Sequence, residues 1–73
     1  MPHIDVKMFP GRDDSLKKSF ADKVRKAAVE ALGCPADDLS VSVEEVAPEN
    51  WNRDVADKIP EKNILSGEMY RSK

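Results

Sequence analysis

The sequence predicts an α+β fold: one β-α-β unit with parallel strands, a short C-terminal helix and a hairpin arm, all in a single domain over residues 1–73. Three observations point to it. Two short segments, 2–9 and 39–46, alternate apolar and polar residues. One long amphipathic segment, 14–32, lies between them. The strands are separated by about thirty residues, a length that suits a right-handed crossover and far exceeds a hairpin loop.

Residues 2–9 read PHIDVKMF. Ile4, Val6 and Met8 alternate with His3, Asp5 and Lys7, the two-residue period of a strand with one buried face. Pro2 suits a strand's first position, where its missing N–H does little harm. Pro10-Gly11 ends the strand. In 14–32, Leu16, Phe20, Val24, Ala27, Ala28 and Ala31 share one predicted helical stripe, with Lys18, Asp22, Arg25, Lys26 and Glu30 opposite. Lys17 is the one charge near the apolar edge. Asp13, Asp14 or Ser15 can cap the N-terminus, and Gly33 is placed as the left-handed C-cap, with Pro35 stopping continuation. In 39–46, LSVSVEEV, Leu39, Val41 and Val43 share one face and Ser40, Ser42 and Glu44 the other. Pro48 opens a short helix over 47–58 with Trp51 and Val55 one turn apart, and Pro60 closes it. Residues 63–70, NILSGEMY, read as a hairpin around Ser66-Gly67.

A chain of 73 residues buries only about 60% of the surface it exposes when unfolded. An internal disulfide is excluded because Cys34 is the only cysteine, and one His plus one Cys make a metal site improbable. Oligomerisation remains as the means of stabilisation. A two-stranded sheet also needs further cover, and its open edges invite a second copy. Two copies joined edge to edge give a four-stranded sheet, so a dimer, or a hexamer as a trimer of dimers, is expected to complete the fold.

Twelve basic residues face fourteen acidic ones, for a net charge of −2. No basic patch dominates, which disfavours nucleic acid as a partner. No apolar run nears 18 residues and no signal-peptide pattern is present, so no membrane role is expected. A lone cysteine fits a reducing compartment, and the expected location is the cytoplasm.

The residue with the most chemistry is Pro2. Once Met1 is trimmed, its nitrogen becomes a secondary amine at the chain terminus. Such a terminal amine titrates near neutrality, at about 7.7–8.0, and an apolar wall disfavours its ammonium form. Pro2 can then act as a general base without help from His, Cys or Glu. If Met1 persists, the nitrogen is an amide with no basicity.

The Met-Pro opening of the first strand, Gly11-Arg12 just after it, the amphipathic helix, the second strand and an aromatic at Trp51 together resemble the 4-oxalocrotonate tautomerase family. The opening MPHIDVKMFP and the later PENW are most similar to its slightly longer bacterial members. The resemblance covers about residues 2–52. It implies a tautomerase-like domain and a cofactor-independent isomerase that interconverts keto and enol groups on small acids, with Pro2 as base. By the same resemblance Arg12 binds a substrate carboxylate, which its planar fork suits, and Trp51 walls the site. One departure stands out. Ser40 occupies the position of an arginine in the family's best-known members. A neutral hydroxyl there loses about 1–2 kcal/mol against a charge-assisted contact. The resemblance implies a small 2-hydroxydienoate or a phenylenolpyruvate-like acid as substrate, and the Ser40 departure points to a monoacid or a neutral keto-enol in place of a dicarboxylic dienol. A backbone N–H, His3, Arg53 or Arg71 are other ways to hold the oxyanion. Two further readings stand beside this one. One is a hydratase-like dehalogenase, for which Glu44 or Glu45 would activate water. The other is an inactive oligomeric scaffold or binding module of the same fold.

Overall fold

In the computed structural model, which describes Met1–Lys73, the two alternating segments form parallel strands β1 (His3–Met8) and β2 (Ser40–Glu45). They pair without offset, from His3 opposite Ser40 to Met8 opposite Glu45. Equal-period segments in this register place like with like. Ile4, Val6, Val41 and Val43 share the helix-covered face. His3, Asp5, Lys7, Ser40, Ser42 and Glu44 share the other.

The connecting helix, α1 (Asp14–Leu32), has the bounds its signals predict. Asp13 is the N-cap, its carboxylate accepting the Leu16 N–H at 2.7 Å. Gly33 closes the helix at φ 69°, and its N–H donates to the Val29 carbonyl at 2.9 Å. That left-handed geometry is where a residue without Cβ is favoured.

The helix is rotated relative to the predicted stripe. Its half-buried positions are Lys17, Ala21, Val24, Arg25, Ala28 and Val29, while Leu16, Phe20, Ala27 and Ala31 are exposed. Two charged residues of the helix explain the phase. Lys17 meets Glu45 of β2 at 3.3 Å, and Arg25 donates through Nε to the Leu39 carbonyl at 2.9 Å and through its Nη2 to the Ala36 carbonyl. Arg25 is thus a clamp between α1 and the entry to β2, whereas its position in the sequence suggests a solvated face. Small Ala21 and Ala28 let the helix lie close to the strands. The bulkier stripe of Leu16 and Phe20, 54% and 39% exposed, is left uncovered by the chain's own sheet.

The buried core is small and lies beside β2: Leu39, Val46, Val55 and Ala56. Val46 extends the strand pairing by donating its N–H to the Met8 carbonyl at 2.9 Å. After β2 the chain makes three short turns: a 3-10 turn at Pro48–Asn50, the one-turn helix α2 (Trp51–Asp54) and a 3-10 turn at Ala56–Lys58.

The hairpin predicted over 63–70 does not form. Glu61–Asn63 is a 3-10 turn, and no strand follows it. The tail's polar partners lie elsewhere. Tyr70 offers its carbonyl to the Trp51 indole at 2.8 Å, and the Asn52 amide bonds both the N–H and the carbonyl of Ser72, each at 2.9 Å. These bonds pin the tail onto α2, and Leu65 at the loop tip is 92% exposed. No helix is long and apolar enough to cross a membrane.

Candidate active site

The four candidate residues fall into two groups at opposite ends of β1. Pro2 and Ser40 lie at its start, where the Ser40 N–H donates to the Pro2 carbonyl at 3.4 Å. Arg12 and Trp51 lie at its end. Phe9 leaves the strand there, and Gly11 makes the bend that carries Arg12 away, at φ 132°. A strand of this length spans about 20 Å. One chain therefore separates its candidate base from its candidate carboxylate-binding arginine.

At the Arg12 end, a cleft of about 250 Å³ is lined by Met8, Phe9, Arg12, Trp51 and Tyr70. Its rings pack edge to face: Phe9 to Trp51 at 5.0 Å, Phe9 to Tyr70 at 5.7 Å and Trp51 to Tyr70 at 6.4 Å between centroids. This geometry sets the positive edge of one ring against the negative face of the next. Three of the chain's four aromatic residues thus converge beside Arg12. Phe9 and Tyr70 were not singled out from the sequence. Phe9 continues the β1 pattern past its apolar face, and Tyr70 sits in a tail with no periodic signal.

The four arginines are engaged very differently. Arg25 caps carbonyls, Arg53 pairs with Asp54 at 2.8 Å, and Arg71 pairs with Asp57 at 2.9 Å. The guanidinium of Arg12 has no partner within the chain, which leaves both edges of its fork open to a carboxylate. Arg53 and Arg71, the alternatives for holding an oxyanion, are both occupied. The acids considered for activating water are occupied too: Glu44 bonds Lys7 at 2.9 Å, and Glu45 bonds Lys17. A larger cleft, about 700 Å³, runs between the last 3-10 turns and the tail. The one basic group on it, Arg71, is tied to Asp57.

At the Pro2 end, Ser40 is held by a hydrogen-bonded row along the open sheet face. Ser42 Oγ donates to Asp5 at 2.8 Å, so it must accept from His3 Nε2, which lies 3.0 Å away. In the neutral ring, His3 Nδ1 then accepts from Ser40 Oγ at 2.6 Å. Lys7 continues the row, bonding Asp5 and Glu44, each at 2.9 Å. The bond to Glu44 raises the Lys7 ammonium above its usual range, with Asp5 adding to it. Hydrogen bonds from Lys7, then Ser42, hold the Asp5 carboxyl below the usual range.

The sequence profile of the family described as tautomerase enzyme matches residues 2–63. The chain belongs to the tautomerase family. It is accordingly an isomerase of the keto–enol type. Similar relatives include a tautomerase PptA of Cronobacter sakazakii, 42% identical over 78% of this chain and 76% of the relative. A 2-hydroxymuconate tautomerase of Pseudomonas putida is 41% identical over 70% of this chain and 81% of its own length. Among solved structures, TomN, a 4-oxalocrotonate tautomerase homologue in the tomaymycin biosynthetic pathway, superposes with a TM-score of 0.65. It is 36% identical and covers 68% of this chain and 77% of its own. This tautomerase has the same β-α-β fold as that neighbour.

Proposed function

We propose that this tautomerase converts small enol acids to their keto forms without a cofactor, using Pro2 as general base after Met1 is removed. The freed amine accepts a proton from one end of the enol–keto system and returns it to the other, so protons and electrons balance within the substrate. Pro2's ring limits motion of the lone pair, and a strand start is a rigid mount for it. Arg12 binds the carboxylate and draws electron density toward it. The single observation that supports this most is the unpaired Arg12 guanidinium beside an aromatic wall, in a chain whose other arginines are all engaged.

The working site is shared between copies. Two copies related by a two-fold axis normal to the sheet run antiparallel at the joined edge, and the start of one β1 then lies near the end of the other. That brings Pro2 of one copy to Arg12 and Trp51 of the next. The exposed area supports such an assembly. A folded monomer of 8.1 kDa exposes about 4,500 Å², whereas this chain exposes 5705 Å². The excess of about 1,200 Å² exceeds the share one partner contributes to a standard interface, about 800 Å². A dimer accounts for the geometry of the site, and the uncovered Leu16–Phe20 stripe is free for a trimer of dimers.

Ser40 lies at the base's end as a neutral donor. Its hydroxyl reaches an oxyanion only by leaving His3, so a second carboxylate gains little there. That favours a monoacid such as a phenylenolpyruvate-like enol over a diacid dienol.

The test pairs intact mass with turnover. The purified protein should lack one Met residue, and Pro2→Ala should lower kcat by at least about 100-fold, the scale of a general base. A retained Met1 in active protein, or equal rates in Pro2→Ala, would overturn the assignment.

A further inference from the structure

The last ten residues lie outside the stretch that matches the family, which ends at residue 63. They nevertheless reach the Arg12 cleft. Tyr70 lines it and completes the ring cluster with Phe9 and Trp51. Three hydrogen bonds place it there: the Trp51 indole to the Tyr70 carbonyl, and Asn52 to both backbone groups of Ser72. All three involve adjacent residues of α2 and the backbone of the tail. The clip therefore fixes where the tail runs whatever its side chains are, and leaves the Tyr70 ring free to be a wall. The residue is 57% exposed, so the ring remains accessible to a ligand.

From this we infer that Tyr70 is a specificity-determining residue, which selects acids carrying an apolar or aromatic group next to the carboxylate held by Arg12. The inference rests on the reading of Arg12 as the carboxylate site. The chemistry is direct. A carboxylate on Arg12 leaves the rest of a short acid among Met8, Phe9, Trp51 and Tyr70. A ring gains edge-to-face contacts and loses hydration there. A second carboxylate at the same place gains neither. Without Tyr70 the cleft loses one of its three aromatic walls.

The test compares wild type, Tyr70→Ala, Tyr70→Phe and Asn52→Ala on phenylenolpyruvate and on 2-hydroxymuconate, a diacid without a ring. Tyr70→Ala should raise KM for phenylenolpyruvate about three- to tenfold, the range of one lost ring contact, with kcat little changed. KM for 2-hydroxymuconate should stay put. Tyr70→Phe should behave as wild type, because the wall is the ring and not the hydroxyl. Asn52→Ala should shift KM in the same selective way, though less, because it removes two of the clip's three hydrogen bonds. Equal KM changes for both substrates, or none for either, would overturn the inference. A binding measurement separates it from the base assignment. Quenching of Trp51, the only tryptophan, by 3-phenylpropionate requires no turnover. Tyr70→Ala should weaken that binding while Pro2→Ala leaves it intact. Unaltered quenching in Tyr70→Ala would sink the role of Tyr70 even if Pro2 proves to be the base.

Discussion

Asp5 shows how single residues on the open sheet face tie stability to pH. Its carboxyl accepts from Ser42 and pairs with Lys7, and these contacts hold it below its ordinary value of 3.8. The folded chain thus binds a proton at Asp5 less readily than the unfolded chain does. The resulting stability is in place above the ordinary carboxylate range and is lost as pH falls through the depressed native value. Lys7 has the opposite sign. Bonded first by Glu44 and then by Asp5, it is raised from 10.5. Its contribution is complete below that value and fades as pH climbs through the raised one. Asp5 is exposed and Lys7 is only partly covered, so the effects are small. Thermal unfolding at fixed protein concentration should show Tm falling more steeply for wild type than for Asp5→Asn as pH drops from about 5 to about 2. Identical slopes would mean the row is broken in solution. The sequence showed which residues share this face. It did not show the row, because alternation places side chains on a face without saying which hydrogen bonds they choose.

At the scale of elements, α1 separates what periodicity reveals from what it hides. Its bounds were legible because both end signals are local: Asp13 caps through its own carboxylate, and Gly33 adopts the left-handed conformation. Asp13→Ala should therefore cost about 1 kcal/mol, seen as a lower unfolding midpoint, while Asp13→Asn keeps most of the stability. An Ala variant as stable as wild type would show that the helix start is held by something else. The helix phase was not legible. Leu16, Phe20, Ala27 and Ala31 belong to a stripe more apolar than the true seam, which carries Lys17 and Arg25, so apolar periodicity points to the wrong face. The seam is set instead by Lys17 reaching Glu45 and Arg25 reaching two carbonyls, contacts across 28, 14 and 11 residues. The tail failed for a related reason. Ser66-Gly67 is a sound turn signal, but a hairpin needs two strands with cover, and Trp51 and Asn52 claim the tail's backbone groups first.

At the scale of the whole molecule, the chain is thin and open, 39 × 31 × 17 Å, with a radius of gyration of 13.6 Å against about 11 Å for a folded chain of this length. Only four of its 73 residues are buried. This is the shape of a building block. It explains why Pro2 and Arg12 were legible as chemistry, and through the resemblance as parts of one site, but not as lying at opposite ends of a strand: each is marked by its own residue type, while the distance between them within one chain follows only from the fold. The proposed sharing of the site between copies makes a specific demand on mixed assemblies. On that proposal Pro2→Ala removes the base from one side of the joint and Arg12→Ala the carboxylate clamp from the other. The most direct measurement is therefore kcat/KM of Pro2→Ala and Arg12→Ala chains, each nearly inactive alone, after they are unfolded together in equal amounts and refolded. Random association unites an intact Pro2 with an intact Arg12 in about a quarter of sites, so activity should return to about a quarter of the wild-type value. A mixture no more active than its two components would contradict a site built from two copies.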